Sequence, residues 1–200
     1  MKTINFDKNK EAWMAYRHGK ITGSTLADIV PKKNGDKKIG FWELVASRVA
    51  DEPDWQNAME RGVELEHEAA VRFMLETDKE LDTSLIMWER EDNPNIAISP
   101  DAVVIGENAS VEIKCLSSAR HLQAFFEQAI PSEYEHQARQ YFVVNDELET
   151  LYFVFYDPRV KCKPFFFIKF AREDMEIDEY LSLEKKTLFE ADEYVNRLMK

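Results

Sequence analysis

Apolar residues recur at two different periods along this chain, and the switch between them separates a helical part from a part built of strands. Through residue 75 they fall every three or four positions, as on one face of a helix. That spacing predicts helices over about residues 8–17, 24–29, 40–50 and 57–75, with Thr22-Gly23-Ser24 as a capped helix start. The lysine-rich PKKNGDKK of residues 31–38 breaks the pattern and predicts an exposed loop. From residue 85 the period shortens to two, and residues 85–89, 96–99, 102–105 and 110–115 read as short strands. Gly106-Glu107-Asn108 supplies the hairpin turn between the last two. Helices are predicted again over residues 118–128 and 132–143, separated by Pro131, then aromatic-rich strands over 151–156 and 164–170 and a helical tail over 174–200. The order predicts an α/β or α+β fold with a central mixed sheet flanked by helices. With no internal repeat, low-complexity tract or linker-like stretch, residues 1–200 read as one domain.

Charge breaks into the strands at three places. In Val111-Glu112-Ile113-Lys114-Cys115, alternation puts Glu112 and Lys114 on one face and the three apolar residues on the other. The two charged side chains then stand about 6–7 Å apart at a polar edge of the sheet. The hairpin can bring Asp101, at the start of the preceding strand, beside Glu112. Two carboxylates and one ammonium make a hard-oxygen site for a divalent cation, with the lysine left to meet an anion or a water. The competing reading is an ion pair on a half-exposed strand face.

The helix RGVELEHEAAVRF adds a fourth charge. Glu64, Glu68 and Arg72 form an i, i+4 stripe that a solvated face explains. Glu66 instead shares its face with Ala69, Ala70 and Phe73, which must pack inward, so its carboxylate should point toward the sheet and needs a partner there. The adjacent His67 is either a further ligand or a satisfied semi-buried histidine.

Composition narrows the setting. With 44% hydrophobic residues, 200 residues can bury a core without staples. The longest apolar run is the six residues 151–156, and the N-terminal MKTINFDKNK lacks a secretory-signal segment, so a soluble, cytoplasmic protein without a membrane partner is expected. Cys115 and Cys162 form no CxxC pair; both read as small core residues in a reducing compartment. A net charge of −12 argues against a nucleic-acid partner, but residues 1–40 hold nine Lys/Arg against four Asp/Glu, leaving 17 against 34 for the rest. Such a dipolar chain can grip an anionic polymer with one face, although PKKNGDKK is also what a solvated loop looks like.

Ser99-Pro100-Asp101 followed by Glu112-Ile113-Lys114 resembles the PD-(D/E)xK nuclease motif. The wider pattern is similar to the phage lambda exonuclease family of viral recombination nucleases. WMAYRHGKITGS at residues 13–24 is similar to that family's N-terminal element. Gly62, Glu66, Ala69 and Phe73 match its G…E..A…F helix, and Glu112-Ile113-Lys114-Cys115 its EIKCP core. Tyr134 with Gln137 matches its Y..Q helix, and Tyr156-Asp157-Pro158-Arg159 also has a counterpart. The matches run in order over most of the chain. Two departures stand out: Leu116 replaces the proline after EIKC, and Arg139 occupies the place of the second glutamine of Y..Q.Q.

The resemblance implies a restriction-endonuclease-like core and a Mg²⁺-dependent 5′→3′ exonuclease. Such an enzyme degrades one strand of linear double-stranded DNA from 5′-phosphorylated ends to mononucleotides, leaving 3′ single strands for recombination by annealing. It implies Asp101, Glu112 and the carbonyl of Ile113 as ligands of Mg²⁺, for which Mn²⁺ can substitute. Glu66 would serve a second ion, making one or two per site. Lys114 would position or deprotonate the attacking water, and Gln137 would join the catalytic set. Arg17 and Ser24 would hold the DNA 5′-phosphate, with the second glutamine's part falling to Gln137, Gln140 or Arg139. The resemblance further implies a homotrimeric ring, a single-strand annealing protein as partner, and a phage or prophage origin. Two rivals share the core motif: a restriction-type endonuclease and a non-catalytic DNA-end binding module.

Overall fold

The computed structural model describes residues 32–51 and 58–198. The helices expected over residues 8–17 and 24–29, and with them Arg17 and Ser24, lie outside the described residues. The lysine-rich loop closes through a turn at Gly35, whose φ of +90° is readily adopted without a Cβ. It leads into helix α1 (Ile39–Val49), followed by α2 (Ala58–Thr77). The strands are β1 (Leu81–Asp82), β2 (Trp88–Arg90), β3 (Asn93–Ile98), β4 (Ala102–Val104) and β5 (Ala109–Lys114). Helix α3 (Ser118–Glu127), a 3₁₀ turn at Ser132–Tyr134 and α4 (Glu135–Val144) come next, then β6 (Thr150–Tyr156), β7 (Phe165–Ala171) and α5 (Ile177–Leu198).

Five strands form a mixed sheet in the order β1-β4-β5-β6-β7, as the element order predicts. All neighbours are antiparallel except β5 and β6, which run parallel; helices α3 and α4 supply the crossover that a parallel pair requires. Strands β2 and β3 stand apart as a two-stranded ribbon. The strand expected over residues 85–89 begins only at Trp88, because residues 83–87 link the main sheet to this ribbon. The two-residue β1 is too short to show a period in the sequence.

Alternation decides which helix each strand residue meets. Val111 and Ile113 of β5, with Tyr152, Val154 and Tyr156 of β6, pack against Ala69, Ala70 and Phe73 of α2. Leu151, Phe153 and Phe155 of β6 face the other way, against Ala124 of α3 and Ala138, Tyr141 and Phe142 of α4. Strand β6 is thus covered on both faces, which accounts for its unbroken run LYFVFY. Helix α1 packs Trp42 and Ala46 against Ala119 and Leu122 of α3. Tyr180, Leu181 and Leu188 of α5 cover Ile96, Val143 and Val144.

Three expectations change. Strand β5 lies between β4 and β6 rather than at a polar edge, and Glu112 is only 2% exposed because α4 covers it. Arg72 pairs with Glu76 at 2.6 Å instead of with Glu68, whose carboxylate accepts the Tyr156 hydroxyl. Cys162 is exposed in the turn after β6, not in the core; Cys115 packs against the α2 side of the sheet, and neither is in a disulfide. Among the described residues, no helix is long and apolar enough to cross a membrane.

Candidate active site

The β4–β5 hairpin turns at Gly106, where φ is +80°, and pairs Ala102 with Val111. One residue beyond that pair stand Asp101 and Glu112. Asp101 Oδ2 accepts the backbone N–H of Ile113 at 2.6 Å, so a side chain takes over where the β4 ladder ends. A strand residue sends its N–H and C=O to the same side, so the Ile113 carbonyl also looks toward Asp101.

Glu112 is held from α4 and from its own strand. Its Oε1 accepts from Lys114 Nζ at 2.6 Å and from Gln137 Nε2 at 2.7 Å, and its Oε2 accepts from the Tyr141 hydroxyl. Lys114 lies over the Tyr134 ring, 4.7 Å from the centroid, a cation–π contact that fixes the ammonium from its other side. Tyr134, Gln137 and Tyr141 are spaced i, i+3, i+7, so one helical face delivers all three to the Glu112–Lys114 pair. Leu116, where the resembled family has proline, packs partly buried against the α4-side core as the chain leaves β5 for α3.

Burial pushes the Asp101 carboxyl up to about 7, and the charges of Glu112 and then Glu66 add to the shift; the Ile113 amide and Lys114 oppose it without offsetting it. Burial and the neighbouring Glu112 also push the Tyr141 phenol up, keeping it a hydrogen-bond donor. The site therefore concentrates more negative charge than Lys114 balances. Two converging carboxylates with a backbone carbonyl nearby suit a hard divalent cation, and Mg²⁺ in particular takes few protein ligands and keeps water or substrate oxygens for the rest. Among the described residues no three His, Cys, Asp or Glu side chains gather closely enough to hold an ion by themselves. Glu66, half-buried on α2, acts on Asp101 through its charge without closing such a group, and His67 is exposed.

The structure separates the three candidates on α4. Gln137 alone hydrogen-bonds Glu112. Arg139 pairs with Glu135 at 3.7 Å and lies over the Tyr180 ring, while Gln140 donates to Glu184 at 3.3 Å, both directed toward α5. Tyr141 is the residue that reading the sequence missed; its place one turn beyond Gln137 on the same face is the signal that could have found it.

The family model of the YqaJ-like viral recombinase domain matches residues 12–147, a span holding every residue of this cluster. The alkaline exonuclease LHK-Exo from Laribacter hongkongensis is similar in structure, with a TM-score of 0.62 and 27% sequence identity over 94% of this chain and 97% of that one. The crystal structure of LHK-Exo in complex with dAMP matches over the same shares, with a TM-score of 0.61 and 27% identity. No curated protein sequence gives a significant match.

Proposed function

We propose that this chain, which belongs to the YqaJ-like viral recombinase domain family, is a Mg²⁺-dependent DNA exonuclease acting 5′→3′ on one strand of linear duplex and releasing mononucleotides. The observation that carries the reading is the convergence of Asp101, Glu112, Lys114 and Gln137 where the β4–β5 hairpin meets α4. The similar enzyme LHK-Exo is an alkaline exonuclease crystallised with dAMP, a mononucleotide, which agrees with that product.

Asp101, Glu112 and the Ile113 carbonyl would hold Mg²⁺, or Mn²⁺ in its place, and Glu66 would serve a more labile second ion. An ion held there would supply a water of lowered pKa and offset charge on the phosphate. Lys114, held between Glu112 and Tyr134, presents an ammonium that orients the attacking water and stabilises charge on the phosphate. Gln137 keeps the Glu112 carboxylate in place and offers its amide to the same oxygens. Arg17 and Ser24 would receive the terminal 5′-phosphate, a guanidinium fork and a hydroxyl at a helix start being suited to it. A homotrimeric ring that turns the basic first forty residues inward would reconcile DNA binding with the net charge of −12. A single-strand annealing protein that takes up the 3′ strand, and a phage or prophage gene expressed in the bacterial cytoplasm, complete the proposal.

The test is digestion of linear duplex labelled separately at its 5′ and 3′ ends, with Mg²⁺ and with chelator, beside a closed circle. Early release of the 5′ label, dependence on the ion and survival of the circle are expected. Cutting of the circle would instead mark an endonuclease, and binding without cleavage a DNA-end module.

A further inference from the structure

We propose that Tyr141 is a positioning residue of the active site, setting through its hydroxyl the one acceptor position of Glu112 that stays open for a divalent ion. This rests on the nuclease reading and extends it to a residue outside the charged motif. Tyr141 is fully buried in the core between α4 and the sheet, beside Phe142, which fills the same core with an aromatic ring and no hydroxyl. Packing alone is therefore no reason for a phenol here, since a buried hydroxyl without a partner is costly. Its hydroxyl has Glu112 Oε2 as partner.

The lone pairs of Glu112 show what that bond does. A carboxylate offers about four acceptor positions. Lys114 and Gln137 fill the two on Oε1, Tyr141 fills one on Oε2, and one remains. Lys114, its side chain 19% exposed, is the group expected to engage substrate. Tyr141 is held in the core, its ring met edge-on by Trp88 of the β2–β3 ribbon with 6.2 Å between centroids. When DNA draws Lys114 away, the Tyr141 hydroxyl and the Gln137 amide keep the carboxylate from turning. Residues that orient metal ligands in this way commonly change metal affinity or activity by about 10–100-fold.

The test compares the full-length protein with Tyr141→Phe, which keeps the ring and removes only the oxygen. Mn²⁺ is the probe, titrated without DNA and followed by the electron paramagnetic resonance of the free ion; turnover on linear duplex is measured alongside. Tyr156→Phe serves as the structural control, because it removes another hydroxyl–carboxylate bond, to Glu68, on the α2 face of the sheet. Tyr141→Phe is expected to bind Mn²⁺ about 10-fold more weakly and to lose about 10–100-fold in kcat, with KM for duplex ends unchanged. Tyr156→Phe is expected to keep both values, whatever each variant loses in melting temperature. Wild-type Mn²⁺ affinity and kcat in Tyr141→Phe, or equal losses in both variants, would overturn the inference while leaving the nuclease reading intact. A wild-type protein that neither binds Mn²⁺ nor cleaves linear duplex would overturn both.

Discussion

The carboxylate of Asp101 accepts the amide of Ile113 at 2.6 Å, joining the residue that precedes β4 to the strand that carries Glu112 and Lys114. Asp101 sits there against its own electrostatic interest, with its carboxyl pushed up to about 7 by burial and by Glu112 and Glu66. A group held in a position that disfavours its charge marks a candidate functional site, because such a placement costs stability. Asp101→Asn should therefore abolish cleavage, by at least about 10³-fold, through loss of the ion. In chelator the same variant should be as stable as the wild type or more so, by about 1 kcal/mol, because the amide oxygen can still accept from Ile113. Melting curves with EDTA check this; clear destabilisation would show that the charge is structural.

Lys114→Ala should still bind duplex ends yet lose hydrolysis by several orders of magnitude, because in the proposed mechanism the ammonium acts on charge that develops during the reaction. Gln137→Ala should lose less, about 10–100-fold, since Glu112 keeps its bonds from Lys114 and Tyr141. Single-turnover cleavage beside filter binding separates the two effects. Near-normal cleavage by Lys114→Ala would remove the lysine from the mechanism.

Arg17→Ala should slow digestion of 5′-phosphorylated ends and leave 5′-hydroxyl ends nearly unaffected. Rates on paired substrates that differ only in that phosphate measure it, and an equal loss on both ends would remove the proposed phosphate contact.

Far from the site, Arg172 donates to the carbonyls of Phe142, Asn145 and Leu148, serving groups at the C-terminal end of α4 and just beyond it that have no helical partner. Arg172→Ala should cost about 2–3 kcal/mol, since it strips several carbonyls of a charged donor. Because α4 carries Gln137 and Tyr141, cleavage should also become heat-sensitive at temperatures the wild type tolerates. Urea denaturation gives the first quantity and inactivation rates the second.

Asp157, 1% exposed, ties the end of β6 to the start of α3 through Ser118 at 2.6 Å and to Arg159 at 2.8 Å. Burial pushes its carboxyl up, but the bonds from Arg159 and Ser118 more than offset that and hold it below the usual range. A lowered folded value means that its contribution is fully present above the unfolded value of about 3.9 and is lost as pH falls through the folded one. Asp157→Asn should lower stability near neutrality and flatten the decline of stability below pH about 4. Parallel acid limbs in the two proteins would show that Asp157 is not the group being titrated.

What the amino-acid sequence determined on its own was local. Period-two alternation put Glu112 and Lys114 on one face of a strand, Gly106 permitted the hairpin that sets Asp101 opposite Glu112, and the order of elements implied a mixed sheet with helices on both sides. These follow from chain geometry over a few residues. Only the tertiary structure decided which surface covers that strand. The parallel pairing of β5 with β6 places Glu112 inside the sheet, and the crossover through α3 and α4 lays Tyr134, Gln137 and Tyr141 over it. The choice of Gln137 over Arg139 and Gln140 was equally out of reach, since all three lie within one turn of α4 and its rotation on the sheet settles which one reaches Glu112. Rotation and crossover are fixed by burying Tyr141 and Phe142 against Phe153 and Phe155, a long-range packing term that no local period encodes.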